Sequence, residues 1–146
     1  MVPYETPNTV DPWGTVSNAS VQGLAPFVDQ VVADMRPARM DALLLVALTT
    51  TSIGYDGRGD FTMTPDGRLA RRAEREIAPF VYAGAAILTA AFLADPPPAP
   101  CSMSPLFDRS AAAGRLFGLR LEGLWMHVGT PAAIKAAETA LLASAV

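Results

Sequence analysis

One cysteine, Cys101, and one histidine, His127, are the whole supply of thiol and imidazole in this chain of 146 residues. A single thiol closes no internal disulfide, so the expected compartment is reducing, the cytoplasm. A histidine and cysteine metal cage is excluded as well: there is no HExxH, no paired cysteine and no second histidine. Positive charge is scarce too, with 11 Lys and Arg against 14 Asp and Glu and a formal net charge of −3. The cations are scattered apart from a knot at Arg71, Arg72 and Arg75, which leaves no broad surface to neutralise nucleic-acid phosphates. The opening residues, MVPYETPNTVDPWG, have neither the basic start nor the apolar run of an export signal. There is no P-loop and no dinucleotide fingerprint. GYDGRGDF is glycine-rich, but it precedes a hairpin and not a helix, so it has no helix dipole to offer a phosphate. Its RGD (Arg58, Gly59, Asp60) is a short chance match, and Ser52, Ser102 and Cys101 lack the elbow or partner of a nucleophile.

What the chain has in quantity is apolar residues, 51% of the total, with a mean hydropathy of +0.27. At this length that suffices for one domain with a real core. The longest uncharged run, Ile77 to Ala94, nears the lower length limit of a membrane span. Pro79 and Gly84 interrupt it, and Phe80, Val81 and Tyr82 are strand-like, so the spacing predicts a buried strand and then a short helix, TAAFLA.

Residues 1–18 show no period and read as an extended lead-in to a domain over 19–146. From Ser20, the positions Leu24, Phe27, Val28, Val31, Val32 and Met35 follow helical spacing, closed by Arg36 and Pro37. LLLVAL is the continuous apolar run of a strand buried on both faces of a parallel sheet. A loop over Thr49 to Gly59 leads to DFTMT, PDG and GRLARR, a hairpin signal with Gly67 free to take a positive φ. Ser104 and Pro105 are predicted as N-cap and first helical residue, with Gly114 as the stop. LFGLRLEG and LWMHV are predicted strands, and AAIKAAETALLASA a helix with Lys135 and Glu138 on its wet face. A helix feeding a buried strand points to α/β layers, here interrupted by an antiparallel hairpin.

The run WMHVGTP, from Trp125 to Pro131, concentrates the remaining chemistry. Thr130 and Pro131 are helix-start residues. Trp125 belongs in a core or a pocket wall, because its ring needs cover and its N–H an acceptor. His127 stands between a strand end and a helix start, where sites of α/β proteins gather, although a lone histidine is more often structural than catalytic.

In order along the chain, PARMDALLLVAL, GDFTMTPDGRL, PFVYAGAAIL, FDRSAAAGRLFGLRLEG and WMHVGTPAAI resemble the second half of the sugar-1-phosphate nucleotidylyltransferases. The likeness is to the mannose-1-phosphate guanylyltransferase-like and N-acetylmuramate-1-phosphate uridylyltransferase-like branch, and it runs from about Pro37 onward. It implies a partial Rossmann-like α/β/α fold, a nucleoside triphosphate and a sugar 1-phosphate as substrates, pyrophosphate as product and Mg2+ as cofactor. It implies a sugar side formed by Gly84, Glu76, Trp125 and Gly129. In the family's W-x-D-x-G-T pattern the Asp binds Mg2+, and His127 occupies that position here; a hard cation prefers oxygen to imidazole. Asp11, in NTVDPWG, is the candidate for the second metal-binding Asp. The family's glycine-rich triphosphate loop has no counterpart in these residues, which implies a truncated, inactive chain. The alternative is a non-catalytic paralogue that binds a sugar phosphate, forms homo-oligomers or joins a missing N-terminal half.

Overall fold

The computed structural model describes residues 29–98 and 102–144. The extended lead-in expected over residues 1–18, the start of the first helix and Cys101 lie outside the described residues. Residues 29–34 are helical (α1). They are followed by β1 (Ala42–Leu48), β2 (Phe61–Met63), β3 (Leu69–Arg71), β4 (Phe80–Leu88), α2 (Ser104–Ala112), β5 (Leu116–Arg120) and α3 (Pro131–Ser144). The strands form one mixed sheet in the order β3-β2-β4-β1-β5.

β1 is the axis of the core because its run of aliphatic side chains has no polar face. Ala42, Leu44 and Val46 point into one layer with Phe61, Leu69, Phe92, Leu106, Phe107 and Leu116. Leu43 and Leu45 point into the other, with Val31, Met40, Phe117 and Leu121. So α2 covers one face of the sheet and α1 the other, the α/β/α layering expected of such a strand. Each fully buried Leu, Val or Phe contributes about 2 kcal/mol of apolar transfer.

The sheet is mixed where a parallel one was expected. β5 runs parallel to β1, from Ala42 opposite Leu116 to Val46 opposite Arg120. β4 runs antiparallel to β1, because it follows the β2–β3 hairpin and not a helical crossover. β4 is half-buried along most of its length, less covered than the sequence suggested. On its β2 side the only paired residue among those described is Phe80, opposite Phe61.

The hairpin forms as the sequence indicated, with φ +90° at Gly67 in its turn. Its turn reaches back to β5: the Gly118 N–H donates to the Gly67 carbonyl at 2.8 Å, and Arg68 bridges Phe117. The guanidinium groups of Arg39 and Arg68 each lie 5.4 Å from the centre of the Phe117 ring, a cation–π arrangement. At the other strand, Arg71 Nε donates to Asp108 Oδ1 at 2.9 Å and ties β3 to α2.

Three local expectations need correction. TAAFLA forms turns, not a helix: Phe92 N–H donates to the Thr89 carbonyl and Ala94 N–H to that of Ala91. The Thr89 hydroxyl donates to the Asp41 carbonyl, and Arg109 holds the carbonyls of Phe92 and Asp95, so tertiary hydrogen bonds override the alanine propensity. The N-cap of α2 is Met103, one residue earlier than expected, and Ser104 is already helical without a side-chain cap. LWMHV is no strand but a single parallel bridge, Met126 to Ile53. The end of α2 is as expected: the Gly114 N–H donates to the Ala111 carbonyl and the Arg115 N–H to that of Ser110, a Schellman closure.

Candidate functional site

Two segments far apart in sequence make the site. After β1 the chain turns at Thr49 to Thr51, where Ser52 Oγ donates to the Leu48 carbonyl at 2.6 Å. Ile53 then clamps the 125–127 segment: its N–H donates to the Trp125 carbonyl at 2.9 Å, and the His127 N–H donates to its carbonyl at 2.8 Å. This fixes Trp125 and His127 in extended backbone beside the loop, just before α3.

Three rings meet there. Trp125 and His127 are 5.7 Å apart between ring centres, Tyr55 and Trp125 6.0 Å, and Tyr55 and His127 6.1 Å in an edge-on arrangement. The Tyr55 hydroxyl accepts the Gly59 N–H at 2.9 Å, which holds its ring in place. Trp125 is half-buried and packs on the layer that contains Leu43, Leu45, Ala83 and Ala85. It packs at the edge of that core layer and does not line the cavity beside α3.

α3 begins where the Thr130–Pro131 pair predicted. The Ala133 N–H donates to Thr130 Oγ1 at 3.1 Å and the Ile134 N–H to the Thr130 carbonyl at 3.0 Å. Between this helix start and the loop lies a cavity of about 330 Å³, lined by Gly54, Asp56, His127, Thr130, Ala132, Ala133 and Ala136. That volume is at the small end of ligand sites. Its lining divides into a polar side, with a carboxylate, an imidazole and a hydroxyl, and an apolar side of three alanine methyls on α3. The amide dipoles at the start of α3 place partial positive charge at the same end.

The other expected residues distribute unevenly. Gly129 lies directly under the imidazole, since a Cβ there would stand 3.1 Å from His127 Nε2. Gly84 sits in β4 where the register slips: Leu44 pairs with Ala86 but Val46 with Tyr82. Nothing lies within 4 Å of where a Gly84 side chain would begin. Glu76 is exposed, and its carbonyl is one of four that Arg72 gathers, with those of Gly59, Ala73 and Glu74. Neither Gly84 nor Glu76 lines the cavity. Asp11 lies outside the described residues.

Of the RGD triplet only Arg58 is exposed. Gly59 is buried, and Asp60 Oδ2 accepts the Tyr82 N–H at 2.9 Å. Gly54 and Asp56 were not singled out from sequence: they sit in a loop without periodicity, and only the fold brings them to His127.

The donor set does not fit Mg2+. Among the described residues no three His, Cys, Asp or Glu side chains come together, and the cavity offers one carboxylate, one imidazole and one hydroxyl. Mg2+ requires near-octahedral oxygen coordination. No described helix is long and apolar enough to cross a membrane.

A mixed α/β sheet with an inserted hairpin and a polar cavity beside a helix start is the frame on which the comparisons bear. No protein-family model matches the chain. The sequence is 46% identical over 114 residues to N-acetylmuramate alpha-1-phosphate uridylyltransferase of Caulobacter vibrioides. The match covers 78% of this chain and 47% of the relative, so the chain spans about half the length of the curated protein it matches. Over that stretch the chain is similar to a sugar-1-phosphate nucleotidylyltransferase.

Proposed function

We propose that this chain binds a sugar 1-phosphate in the cavity at the start of α3 and forms the sugar side of a uridylyltransferase site. The sugar phosphate is N-acetylmuramate 1-phosphate and the nucleotide UTP. The observation that carries the reading is the 46% identity over 114 residues to an enzyme named for that substrate and that transfer. The cavity lends support: the His127 imidazole, the Thr130 hydroxyl and the positive end of α3 suit a phosphate held away from the Asp56 carboxylate, and its alanine side suits the acyl and ether substituents of the sugar. By family resemblance Trp125, Gly129, Gly84 and Glu76 belong to the sugar side; none of the four lines this cavity, and Trp125 and Gly129 adjoin it through the His127 imidazole.

In the complete reaction an oxygen of the sugar phosphate forms a bond to the α-phosphorus of the nucleotide while the bond to the β-phosphate oxygen breaks, and pyrophosphate leaves. Catalysis of that step is positioning plus stabilisation of charge. The groups described here position the acceptor. Magnesium is a family cofactor, but with one carboxylate in the cavity no step of this proposal runs through it. These 146 residues contain no glycine-rich triphosphate loop, so the chain by itself is expected to bind and not to turn over. The proposed compartment is the cytoplasm, where a lone cysteine stays reduced.

Isothermal titration of the purified chain with N-acetylmuramate 1-phosphate tests the reading. Saturable binding that is weakened by removing the phosphate, and by Thr130→Ala with His127→Ala, is expected. No heat, or equal affinity for the sugar without its phosphate, overturns it. Pyrophosphate release from the chain with UTP and Mg2+ would overturn the expected inactivity.

One observation favours a second reading, an oligomerising module without catalysis. Beyond Phe80, β4 has no strand partner on its β2 side among the described residues; the Asp60 carboxylate accepts the Tyr82 N–H there, and from Ala83 to Ala94 the sequence contains no charge to protect that edge. Light scattering on the eluting chain decides it: a dimer or larger species supports this reading, and a monomer at all concentrations removes it.

A further inference from the structure

The loop, the 125–127 segment and α3 converge on a residue that has no side chain. Gly54 follows Ile53, whose two backbone hydrogen bonds hold Trp125 and His127, and it adopts φ +78°. A Cβ at position 54 would stand 2.3 Å from the His127 carbonyl oxygen and 3.0 Å from the Ala133 Cβ. Neither neighbour is the free end of a flexible side chain. The His127 carbonyl belongs to backbone pinned to Ile53, and Ala133 is 6% exposed in the capped first turn of α3.

We propose that Gly54 is the positioning residue of the His127 cavity: only a residue without a Cβ lets the loop lie against the His127 backbone and α3, and this contact sets where the imidazole stands. The inference rests on the reading of that cavity as a sugar-phosphate site. Gly54, His127 and Ala133 all line the cavity, so parting any two of them changes its width. The imidazole also packs beside the Tyr55 and Trp125 rings, 6.1 and 5.7 Å away between ring centres, and a shift of its backbone away from the loop changes both distances. Left-handed backbone at a residue with a side chain adds a further cost.

His127 is the only histidine in the chain, so its ring protons are an unambiguous NMR reporter. In the full chain, Gly54→Ala is expected to move both His127 ring-proton signals, as the ring currents of Tyr55 and Trp125 change. It is also expected to weaken N-acetylmuramate 1-phosphate binding by about tenfold or more, as displacements on the ångström scale do. A folded Gly54→Ala chain with unmoved His127 signals overturns the inference, even if its stability has fallen. If that variant does not fold, Ala133→Val presses on the same contact from the helix and leaves the glycine at position 54 in place. It must move the same signals, and unmoved signals in that folded variant overturn the inference. Should the unaltered chain fail to bind the sugar phosphate, the function proposed above falls, while the His127 signals still decide the role of Gly54.

Discussion

Phe107 is the side chain on which one layer of the core turns, and its truncation is the most demanding test of the packing described. It is 6% exposed, and its ring centre lies 6.0 Å from that of Phe61, 5.7 Å from Tyr82 and 5.7 Å from Phe92. The first two contacts are edge-on, the geometry that brings a ring's positive edge to its neighbour's negative face. Removing a buried Phe side chain costs about 3–5 kcal/mol, and the surrounding rings are too stiff to collapse into the space, so Phe107→Ala should fall near the upper end. Phe107→Leu keeps most of the volume and loses the ring contacts, each of them worth about 0.5–1.5 kcal/mol, so it should cost about 2 kcal/mol. Against a domain stability of about 5–15 kcal/mol both changes are large. Urea unfolding followed by tryptophan fluorescence measures them, provided the slope with denaturant is unchanged. If Phe107→Leu costs as much as Phe107→Ala, or both cost under about 1 kcal/mol, the ring cluster does not hold the layer as argued.

Three further outcomes follow from single side chains. The Ser110 hydroxyl is buried without a hydrogen-bond partner among the described residues, so Ser110→Ala should be neutral or stabilise the chain by up to about 1 kcal/mol in thermal unfolding; a loss of that size would mean the hydroxyl is bonded after all. Arg115 joins the chain before β1 to that before β5, with Nε donating to Asp41 Oδ1 at 2.6 Å and its other nitrogens to the carbonyls of Pro37 and Ala38. Arg115→Ala should therefore cost about 2 kcal/mol by denaturant titration, and Asp41→Asn less, since the carbonyl contacts survive. At the hairpin turn, the hydrogen bond from the Thr64 hydroxyl, with the Arg68 charge assisting, holds the Asp66 carboxyl below the usual range. A depressed folded value means that the ionised carboxylate adds stability above the ordinary carboxylate pKa and loses it as pH falls through the folded value. Thr64→Val should raise the Asp66 titration midpoint seen by NMR, and an unmoved midpoint refutes the assigned cause.

Much of the framework was written locally in the residues. LLLVAL has no polar face and so became the doubly covered β1, Gly67 marked the hairpin turn, Gly114 the end of α2, and Thr130 with Pro131 the start of α3. What the sequence did not disclose depends on partners distant along the chain. TAAFLA has helix-forming alanines, yet Thr89 and Arg109 tie it into turns. LWMHV has the length and apolar content of a short strand, but among the described residues it pairs only through a bridge to Ile53. The direction of β4 beside β1 follows from the hairpin before it, which apolar content cannot express. At the site, Trp125, His127 and Thr130 stood out by residue type. Gly54 and Asp56 did not, because their significance arises when a loop closes on a segment some seventy residues later.

The central claim is that the cavity at the start of α3 receives a sugar phosphate. Amide NMR of the labelled chain, titrated with N-acetylmuramate 1-phosphate, tests it most directly. The account predicts saturable shifts concentrated at Gly54, Asp56, His127, Thr130 and the first turn of α3, with the single histidine's ring signals moving in step. Saturable shifts confined to other parts of the sheet, or no shifts at all, would contradict it.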